Sequence, residues 1–272
     1  MLLPDFDPVA LSIGPLVIRW YALAYIAGLI AGWSYARRLA ANSALWGGLR
    51  QPKPEDLDDL LVFAALGVVL GGRLGFVLFY NPGFYLQNPL EIVQVWKGGM
   101  AFHGGLVGAA IAVMLFARRR GLEPFAMADL AAVVAPIGLL LGRIANFVNG
   151  ELWGRPADVP WAIVFPRAGP EPRHPSQLYE AALEGLALLV VLGILVRVIG
   201  FRRPGLLAGL FGMGYGAARF FVEFFREPDR HLGFIAGGWL TMGMALSVPL
   251  FLAGAWLVRR ALARAMIAER PA

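Results

Sequence analysis

The chain contains no cysteine among its 272 residues. A disulfide, a cysteine nucleophile and a cysteine-bound metal are therefore excluded. Histidine is nearly as scarce, because only His103, His174 and His231 occur and they stand far apart in the sequence. We therefore do not expect a metal site.

Charged residues are also few, at 15% of the chain, whereas hydrophobic residues make up 58%. A soluble chain carries about 25% charged residues. Several apolar runs reach about 20 residues, enough for a helix to cross a hydrocarbon core about 30 Å thick. This composition predicts an all-α polytopic membrane protein, with residues 1–272 as a single integral membrane domain. A soluble all-α protein with buried helices fits the composition much less well.

The apolar runs predict seven transmembrane helices, at about 16–36, 58–80, 99–117, 125–147, 177–198, 205–225 and 236–258. Arginine clusters follow the first, third, fifth and seventh of these: Arg37-Arg38, Arg118-Arg119-Arg120, Arg197 with Arg202-Arg203, and Arg259-Arg260 with Arg264. If the helices alternate in direction, all four clusters lie on one side, which the positive-inside rule makes cytoplasmic. We therefore expect the N-terminus outside and the C-terminus inside. The net charge of +6 is explained by these clusters and does not indicate nucleic-acid binding.

The segment 148–176 lies between two predicted spans, on the outer side, and is rich in proline and glycine. It is too long for a tight turn, because most connections in compact proteins have about 4–6 residues. We expect it to form a small extracytoplasmic cap or lid.

Three arginines lie inside apolar runs, each one to two turns before the outer end of a predicted helix: Arg73, Arg143 and Arg219. Charges within a membrane are costly and are usually functional or paired. A single such arginine could snorkel to the headgroups, and Arg219 could pair with Glu223 four residues later. Three at a similar depth instead predict an outward-facing anion site, because the guanidinium fork binds phosphate. Phospholipid headgroups are the abundant anions at that depth.

Further polar residues surround these arginines. Asn146 and Asn149 follow Arg143 at helical spacing, so they either share its face or close the helix end. Glu151 and Arg155 could pair with each other in the cap. Glu180 and Glu184 are four apart inside the fifth span, and each is expected to pair with an arginine.

His103 lies at the outer end of the third span in "FHGGLVGA". A lone histidine on an apolar helix is more often packed and hydrogen-bonded than catalytic. The flanking glycines indicate a close approach by another group, and histidine is the usual proton-transfer residue near neutral pH. In "RHPSQLYE", Ser176 is expected to be an N-cap and His174 a cap or interface residue. Tyr21, in "WYALAY", fits an aromatic belt at the membrane surface.

Taken together, these stretches resemble the prolipoprotein diacylglyceryl transferase family, and the resemblance covers nearly the whole chain. The sequence "GRIANFVNGELWGRP" (142–156) matches the family signature Gly-Arg-x-[Gly/Ala]-Asn-Phe-x-Asn-x-Glu-x-x-Gly at every fixed position. "GGRLGFVLFYNP", "FHGGL", "RHPSQLYE" and "GYGAARFFVEFFREPD" are also similar to the family and occur in family order. A departure occurs around 165–172, where family members can carry a longer insertion; this affects the cap rather than the core.

The resemblance implies a multi-pass enzyme of the bacterial inner membrane that needs no metal or other cofactor. Its partners would be phosphatidylglycerol, the lipobox in the signal peptide of preprolipoproteins, and the surrounding membrane lipids. It would transfer a diacylglyceryl group to the lipobox cysteine thiol, forming a thioether and releasing glycerol phosphate. The family's functional positions fall on Tyr21, His103, Arg143, Asn146, Gly154, Tyr215 and Arg219, with Glu151 and Glu223 as supporting polar groups. Arg73 is a further candidate for lipid binding, from the predicted anion site alone.

Such a reaction needs stabilisation of charge on the departing phosphate and a supply of thiolate. His103 is the candidate base; alternatively, the arginines alone could lower the thiol pKa, which is ordinarily about 8.5. A membrane transporter or channel with an outward-facing anion site would also explain arginines within the membrane. However, no inverted repeat is visible in the sequence. An intramembrane serine hydrolase would need a Gly-x-Ser-x-Gly motif, and none occurs.

Overall fold

The computed structural model describes residue 2 and residues 9–14, 16–228 and 233–268, except for the side chains at 13, 16, 102, 103 and 265–268. His231 lies outside this part of the chain. The fold is mostly helical, and its main helices are α1 (Trp20–Ala41), α2 (Pro54–Phe79), α3 (Pro82–Gln87), α4 (Phe102–Arg119), α5 (Pro124–Val148), α6 (Ser176–Glu180), α7 (Leu188–Ile199), α8 (Leu206–Val222) and α9 (Met242–Ala268). A π-helical segment, Ala181–Ala187, joins α6 to α7 without a break.

Each of the seven predicted spans overlaps one of these helical segments, although the last helix begins at Met242 rather than at about 236. Four segments are long and apolar enough to cross a membrane, judged by length and composition: Pro54–Phe79, Pro124–Val148, Ser176–Ile199 and Met242–Arg264. Leu206–Val222 is a shorter apolar helix. These helices support a polytopic membrane protein, while the count of seven spans stays a prediction.

Large apolar side chains cover the outside of the helices, as expected for contact with lipid. Leu70 and Leu78 on α2, Ile194 on α7 and Leu252 on α9 are all more than half exposed. Glu180 and Glu184, by contrast, are fully buried. The polar groups therefore face the inside of the bundle, where they can be paired.

The chain is not purely α-helical. Two short strands, β1 (Val9–Ile13) and β2 (Leu16–Arg19), pair antiparallel immediately before α1. The first helix therefore begins at Trp20, and the prediction that it begins at 16 was wrong. The β-branched pair Val17 and Ile18 suits a strand, although its apolar character extends the hydrophobic run.

Glycines bring two pairs of helices into close contact. On α2 and α4, a Cβ added to Gly71 would lie 2.3 Å from the carbonyl oxygen of Gly104, and one added to Gly108 would lie 2.1 Å from that of Gly67. On α8 and α9, a Cβ at Gly209 would lie 2.7 Å from the carbonyl oxygen of Gly254. Small residues at such crossings allow the backbones of membrane helices to approach.

The four arginine clusters lie at one end of the bundle. Arg37 at the end of α1 pairs with Asp58 at the start of α2, with 2.6 Å between Nη1 and Oδ1. Arg120 pairs with Asp56 at 3.2 Å, which brings the end of α4 to the same place. Arg202 donates to the carbonyl of Ala44, with an N–O distance of 3.2 Å.

The fourth cluster joins this end through α5. The guanidinium of Arg260 lies 3.7 Å from the ring centre of Phe125, in the first turn of α5. One turn further, the buried carboxylate of Asp129 accepts from the backbone N–H groups of Gly205 and Ala208, at 2.8 and 2.7 Å. It thereby caps the beginning of α8.

Candidate active site

Two buried glutamates from one helical segment hold two arginines from neighbouring helices. Arg143 of α5 lies 3.3 Å from Glu180 and 3.5 Å from Glu184. Arg219 of α8 contacts Glu180 more closely and lies 3.8 Å from Glu184. The arginine side chains keep 17% and 14% of their surface exposed, whereas both glutamate side chains have none. The prediction that each glutamate pairs with an arginine is confirmed.

Two further charged residues contact these glutamates and arginines. Arg226, just beyond α8, lies 3.2 Å from Glu180 Oε1. Glu223 binds the other side of Arg219 at i+4 spacing, as the sequence indicated. Three arginines and three glutamates are thus balanced in one place, as buried charges require. We call these six residues the ion cluster: Arg143, Arg219, Arg226, Glu180, Glu184 and Glu223.

The π-helical turn fits the backbone of this region closely against α5. Glu180 ends α6, and Glu184 lies inside Ala181–Ala187. Gly185 packs directly on α5, since a Cβ there would lie 2.7 Å from the Cα of Leu140. Short π-helical insertions are frequent at functional sites.

A group of polar side chains lies at the C-terminal end of α5. Asn146 donates from Nδ2 to Glu151 Oε1 at 2.8 Å, and Gln177 donates to the backbone carbonyl of Glu151 at 2.6 Å. The hydroxyl of Tyr21 lies 2.8 Å from that of Tyr25 and also interacts with Asn146 and Glu151. Tyr21 is thus part of a side-chain network, in addition to any role at the membrane surface.

The pairing of Glu151 with Arg155 proposed from the sequence was wrong. Glu151 faces Asn146, and Arg155 instead donates to the backbone carbonyls of Arg226 and Glu223 at 2.8 and 3.1 Å. Ser176 is likewise not an N-cap: it is the first residue of α6, and its hydroxyl donates to the carbonyl of Leu152 at 3.1 Å. Leu152 has a positive φ of 57°, a conformation uncommon outside glycine, and this hydrogen bond helps to hold it.

The segment 148–176 is compact and built on short β-contacts. Strands β3 (Ile163–Val164) and β4 (Pro172–Arg173) pair antiparallel, and the fully buried Phe165 packs against Phe147 and Trp153. Gly154 forms a bridge with Arg226 and donates to the carbonyl of His174 at 2.9 Å. A Cβ at Gly154 would lie 2.5 Å from two carbonyl oxygens. Gly154 therefore allows the segment to join the end of α8, next to the ion cluster.

His174 is an interface residue, as expected. Its Nδ1 lies 3.1 Å from the hydroxyl of Tyr179, and its ring packs edge-on against Phe225. Burial lowers the pKa of His174 below its ordinary value, because the charged imidazolium loses solvation.

Arg73 does not join the other two arginines, so the prediction of three guanidiniums in one pocket was wrong. Arg73 is buried, and its Nε donates to the carbonyl of Ile92 at 2.9 Å. The remaining guanidinium nitrogens donate to the carbonyls of Glu91, Gln94, Gly98 and Gly99. These contacts hold together the loop between α3 and α4, which gives Arg73 a structural place in the fold.

The side chain of His103 lies outside the described residues. Its neighbour Gly104 and the next-turn Gly108 have a clear partner, because both face the backbone of α2. The close approach that the sequence indicated is therefore made by a neighbouring helix at these two positions. The glycines no longer point to a substrate beside His103.

Tyr215 lies on α8, four residues before Arg219. It is buried, and its ring stacks on Phe211 with 5.8 Å between ring centres. Sequence reasoning did not single out Arg226, Gln177 or Thr241, which all contact members of this site. Of these three residues, only Arg226 could have been predicted from the sequence, because it follows Glu223 at helical spacing.

Known proteins are similar to this chain over nearly its whole length. The family model described as prolipoprotein diacylglyceryl transferase matches residues 8–260. A phosphatidylglycerol–prolipoprotein diacylglyceryl transferase of Methylocella silvestris is 64% identical over 94% of this chain and 93% of that protein. Proteins of the same name from Agrobacterium fabrum and Beijerinckia indica are 57% and 60% identical, each over 96% of this chain and over 94% and 96% of their own lengths.

Proposed function

The chain belongs to the prolipoprotein diacylglyceryl transferase family, and on this premise we propose that the ion cluster and the polar group beside it form its active site. The protein is a membrane transferase that moves a diacylglyceryl group from phosphatidylglycerol to prolipoprotein. A transporter or channel is not supported. The observation that carries the site assignment is the paired but partly exposed state of Arg143 and Arg219 above two fully buried glutamates.

Arg143 is the first candidate to hold the lipid phosphate. Its contacts with Glu180 and Glu184, at 3.3 and 3.5 Å, are long for charge-assisted hydrogen bonds, which are normally about 2.7–2.9 Å. Its guanidinium therefore retains donor capacity for a phosphate. Arg219, held between Glu180 and Glu223, is fixed more tightly and supplies a stationary positive charge.

The chemical step breaks the bond between a carbon of the diacylglyceryl group and the phosphate oxygen. The same carbon forms a bond to the cysteine sulfur. The electron pair leaves with the phosphate, so negative charge grows on the departing glycerol phosphate. Arginines already fixed in a water-poor site stabilise that charge without reorganising. The thiol proton goes either to His103 or to water, in the second case because the arginines' field has lowered the thiol pKa.

The polar group around Asn146 lies next to Arg143 on the same helix and suits the lipid headgroup. Asn146, Glu151 and the hydroxyl of Tyr21 offer both donors and acceptors for glycerol hydroxyls. Tyr215, four residues before Arg219, would line the same site. Gly154 and Glu223 support it: Gly154 admits the close backbone junction, and Glu223 orients Arg219. Arg73 is left out of this proposed lipid site, since its donors are occupied by backbone carbonyls.

The second substrate would be the lipobox cysteine of a preprolipoprotein signal peptide, delivered from the outer side together with membrane lipid. In this arrangement the arginine-rich end of the bundle is cytoplasmic, the N-terminus is outside, and 148–176 is an extracytoplasmic cap. The chain would form one integral membrane domain over 1–272.

A purified-protein assay tests the function. Phosphatidylglycerol and a lipobox peptide are incubated with the protein in detergent, and the peptide mass is measured. The expected product carries one diacylglyceryl group on cysteine, and a cysteine-to-serine peptide should stay unmodified. Modified wild-type peptide with unaltered rates for Arg143→Lys and Arg219→Lys would place the active site elsewhere.

A further inference from the structure

Thr241 contacts the ion cluster from a helix that sequence reasoning left out of the site. Its hydroxyl donates to Glu223 Oε2 at 2.7 Å. The same hydroxyl accepts from the backbone N–H of Met244 at 3.2 Å. Thr241 precedes α9 and is 3% exposed. One buried hydroxyl thus caps a helix and holds a carboxylate of the ion cluster.

The first turn of α9 contacts the same carboxylate from a second direction. A Cβ added to Gly243 would lie 2.4 Å from Glu223 Oε1 and 2.5 Å from its Cδ. The glycine therefore lets the carboxylate lie against the first turn of a 27-residue helix. The positive end of a helix dipole stabilises a carboxylate at this position. Glu223 consequently has one oxygen on Thr241 and the other on Arg219.

We infer that Thr241, together with the space at Gly243, is a positioning element for the reaction: it fixes Glu223 and, through it, the guanidinium of Arg219. This inference rests on the proposed role of Arg219 at the departing phosphate. Arg219 is held by Glu180 on one side and by Glu223 on the other. With Glu223 free to rotate, Arg219 loses one of its two anchors, and its charge no longer meets the phosphate in a fixed orientation.

Three substitutions distinguish the roles of the two hydrogen bonds of the Thr241 hydroxyl, one to Glu223 and one from the backbone of Met244. Thr241→Ser keeps both the helix cap and the donor to Glu223. Thr241→Asp keeps the cap, because aspartate is an equally good N-cap residue, but it sets a second carboxylate against Glu223 in place of the hydroxyl donor. Thr241→Val keeps the shape and removes both bonds. Ser247→Ala is the matched control, because Ser247 is a buried α9 hydroxyl that donates to the carbonyl of Gly243 and not to Glu223.

Initial rates are measured for each folded variant at pH 8, with phosphatidylglycerol varied in mixed micelles and the lipobox peptide fixed. For a positioning role, kcat falls about tenfold for both Asp and Val, as expected when a charged group loses a hydrogen bond. Ser and the Ser247→Ala control keep at least about half of the wild-type kcat. If Asp matches Ser and only Val is impaired, Thr241 acts solely as a helix cap and the inference is overturned.

A double-mutant cycle with Arg219→Lys separates this inference from the proposed function. Coupled residues show non-additive effects. If Thr241 acts through Arg219, Thr241→Val causes little further loss in the Arg219→Lys background. A full additional loss in that background overturns the inference and leaves Arg219 in place. Near-normal rates for Arg219→Lys alone contradict the proposed role of Arg219 itself.

Discussion

Arg143 faces Glu180 across 3.3 Å, measured from Nη1 to Oε2. That oxygen is buried and has no hydrogen-bond partner among the residues that the structure describes. The pair is therefore close enough to neutralise charge but too loose to occupy the guanidinium. A phosphate arriving at Arg143 can be bound without first breaking a strong hydrogen bond.

Arg143→Lys and Arg219→Lys should each lower kcat/KM at least about tenfold, which corresponds to about 1.4 kcal/mol in the barrier. Lysine keeps the charge but loses the planar fork that binds phosphate through two bonds. The rates are measured with phosphatidylglycerol and a lipobox peptide. Arg37→Lys is the control, because Arg37 pairs with Asp58 at the other end of the bundle. Similar rates for all three variants would mean that Arg143 and Arg219 form ion pairs with a structural role only.

Arg73→Lys should instead weaken the fold locally. Its guanidinium donates to five backbone carbonyls between residues 91 and 99, and an ammonium has only three donors. We expect a lower Tm and faster proteolysis of this loop, with little change in KM for phosphatidylglycerol in the folded fraction. A higher KM at unchanged Tm would return Arg73 to the lipid site.

Glu180→Gln should destabilise the protein by about 3–5 kcal/mol, because it leaves buried arginine charge without compensation. Glu180 contacts Arg143, Arg219 and Arg226, and its side chain is fully buried. Reversible unfolding in mixed micelles measures the free energy of unfolding. Glu171→Gln is the control, since the Glu171 side chain is 64% exposed and its change should stay within about 0.5 kcal/mol. Equal stabilities would mean that the charge of Glu180 does not stabilise the fold.

The helical plan could be predicted because apolar runs and arginine clusters are features of the sequence itself. The ion pairs of Glu180 and Glu184 were also predictable, since charges inside a membrane segment must find partners. The start of the first helix was not, because Val17 and Ile18 in strand β2 are as apolar as the helix that follows.

The residues whose contacts were predicted wrongly, or were missed, have partners that no sequence motif indicates. Arg73 binds backbone carbonyls 18 to 26 residues away. Because every residue has a carbonyl, no residue type in the sequence identifies these partners. The glycines around His103 looked like room for a substrate, whereas Gly104 and Gly108 face α2. Thr241 was overlooked because a single threonine within a predicted apolar span is ordinary; its contact with Glu223 arises only when α8 and α9 pack together.

The orientation of the chain can be tested because it is free of cysteine. Single cysteines at 42 and 160 replace an exposed Asn42 and an exposed Pro160. Position 42 lies at the arginine-rich end of the bundle, and position 160 lies in the 148–176 segment. An impermeant thiol reagent should label 160 in intact cells and label 42 only after the membrane is opened. The reverse labelling pattern would show that the chain has the opposite orientation in the membrane, with the ion cluster towards the cytoplasmic side.

His103→Gln tests whether the histidine takes the thiol proton. As a general base, His103 should matter most near neutral pH, so the variant should lose most of its activity there. The loss should shrink as the pH approaches the thiol's own pKa of about 8.5, because thiolate then forms unaided. As a hydrogen-bonding or packing residue, His103 should matter less and equally at every pH.

His174→Gln is the matched control for this pH profile. Burial lowers the pKa of His174, so the neutral ring predominates in the folded protein above about pH 6.5, the ordinary imidazole value. Any activity deficit of this variant should therefore vary little from about pH 6.5 to 9, whereas its stability relative to wild type becomes constant only above about pH 7.5, where the unfolded ring is also neutral. Folded protein must be confirmed for both variants by their Tm. If the His103→Gln deficit is as flat as that of His174→Gln, His103 takes no part in proton transfer. The field of Arg143 and Arg219 is then the remaining means of activating the sulfur.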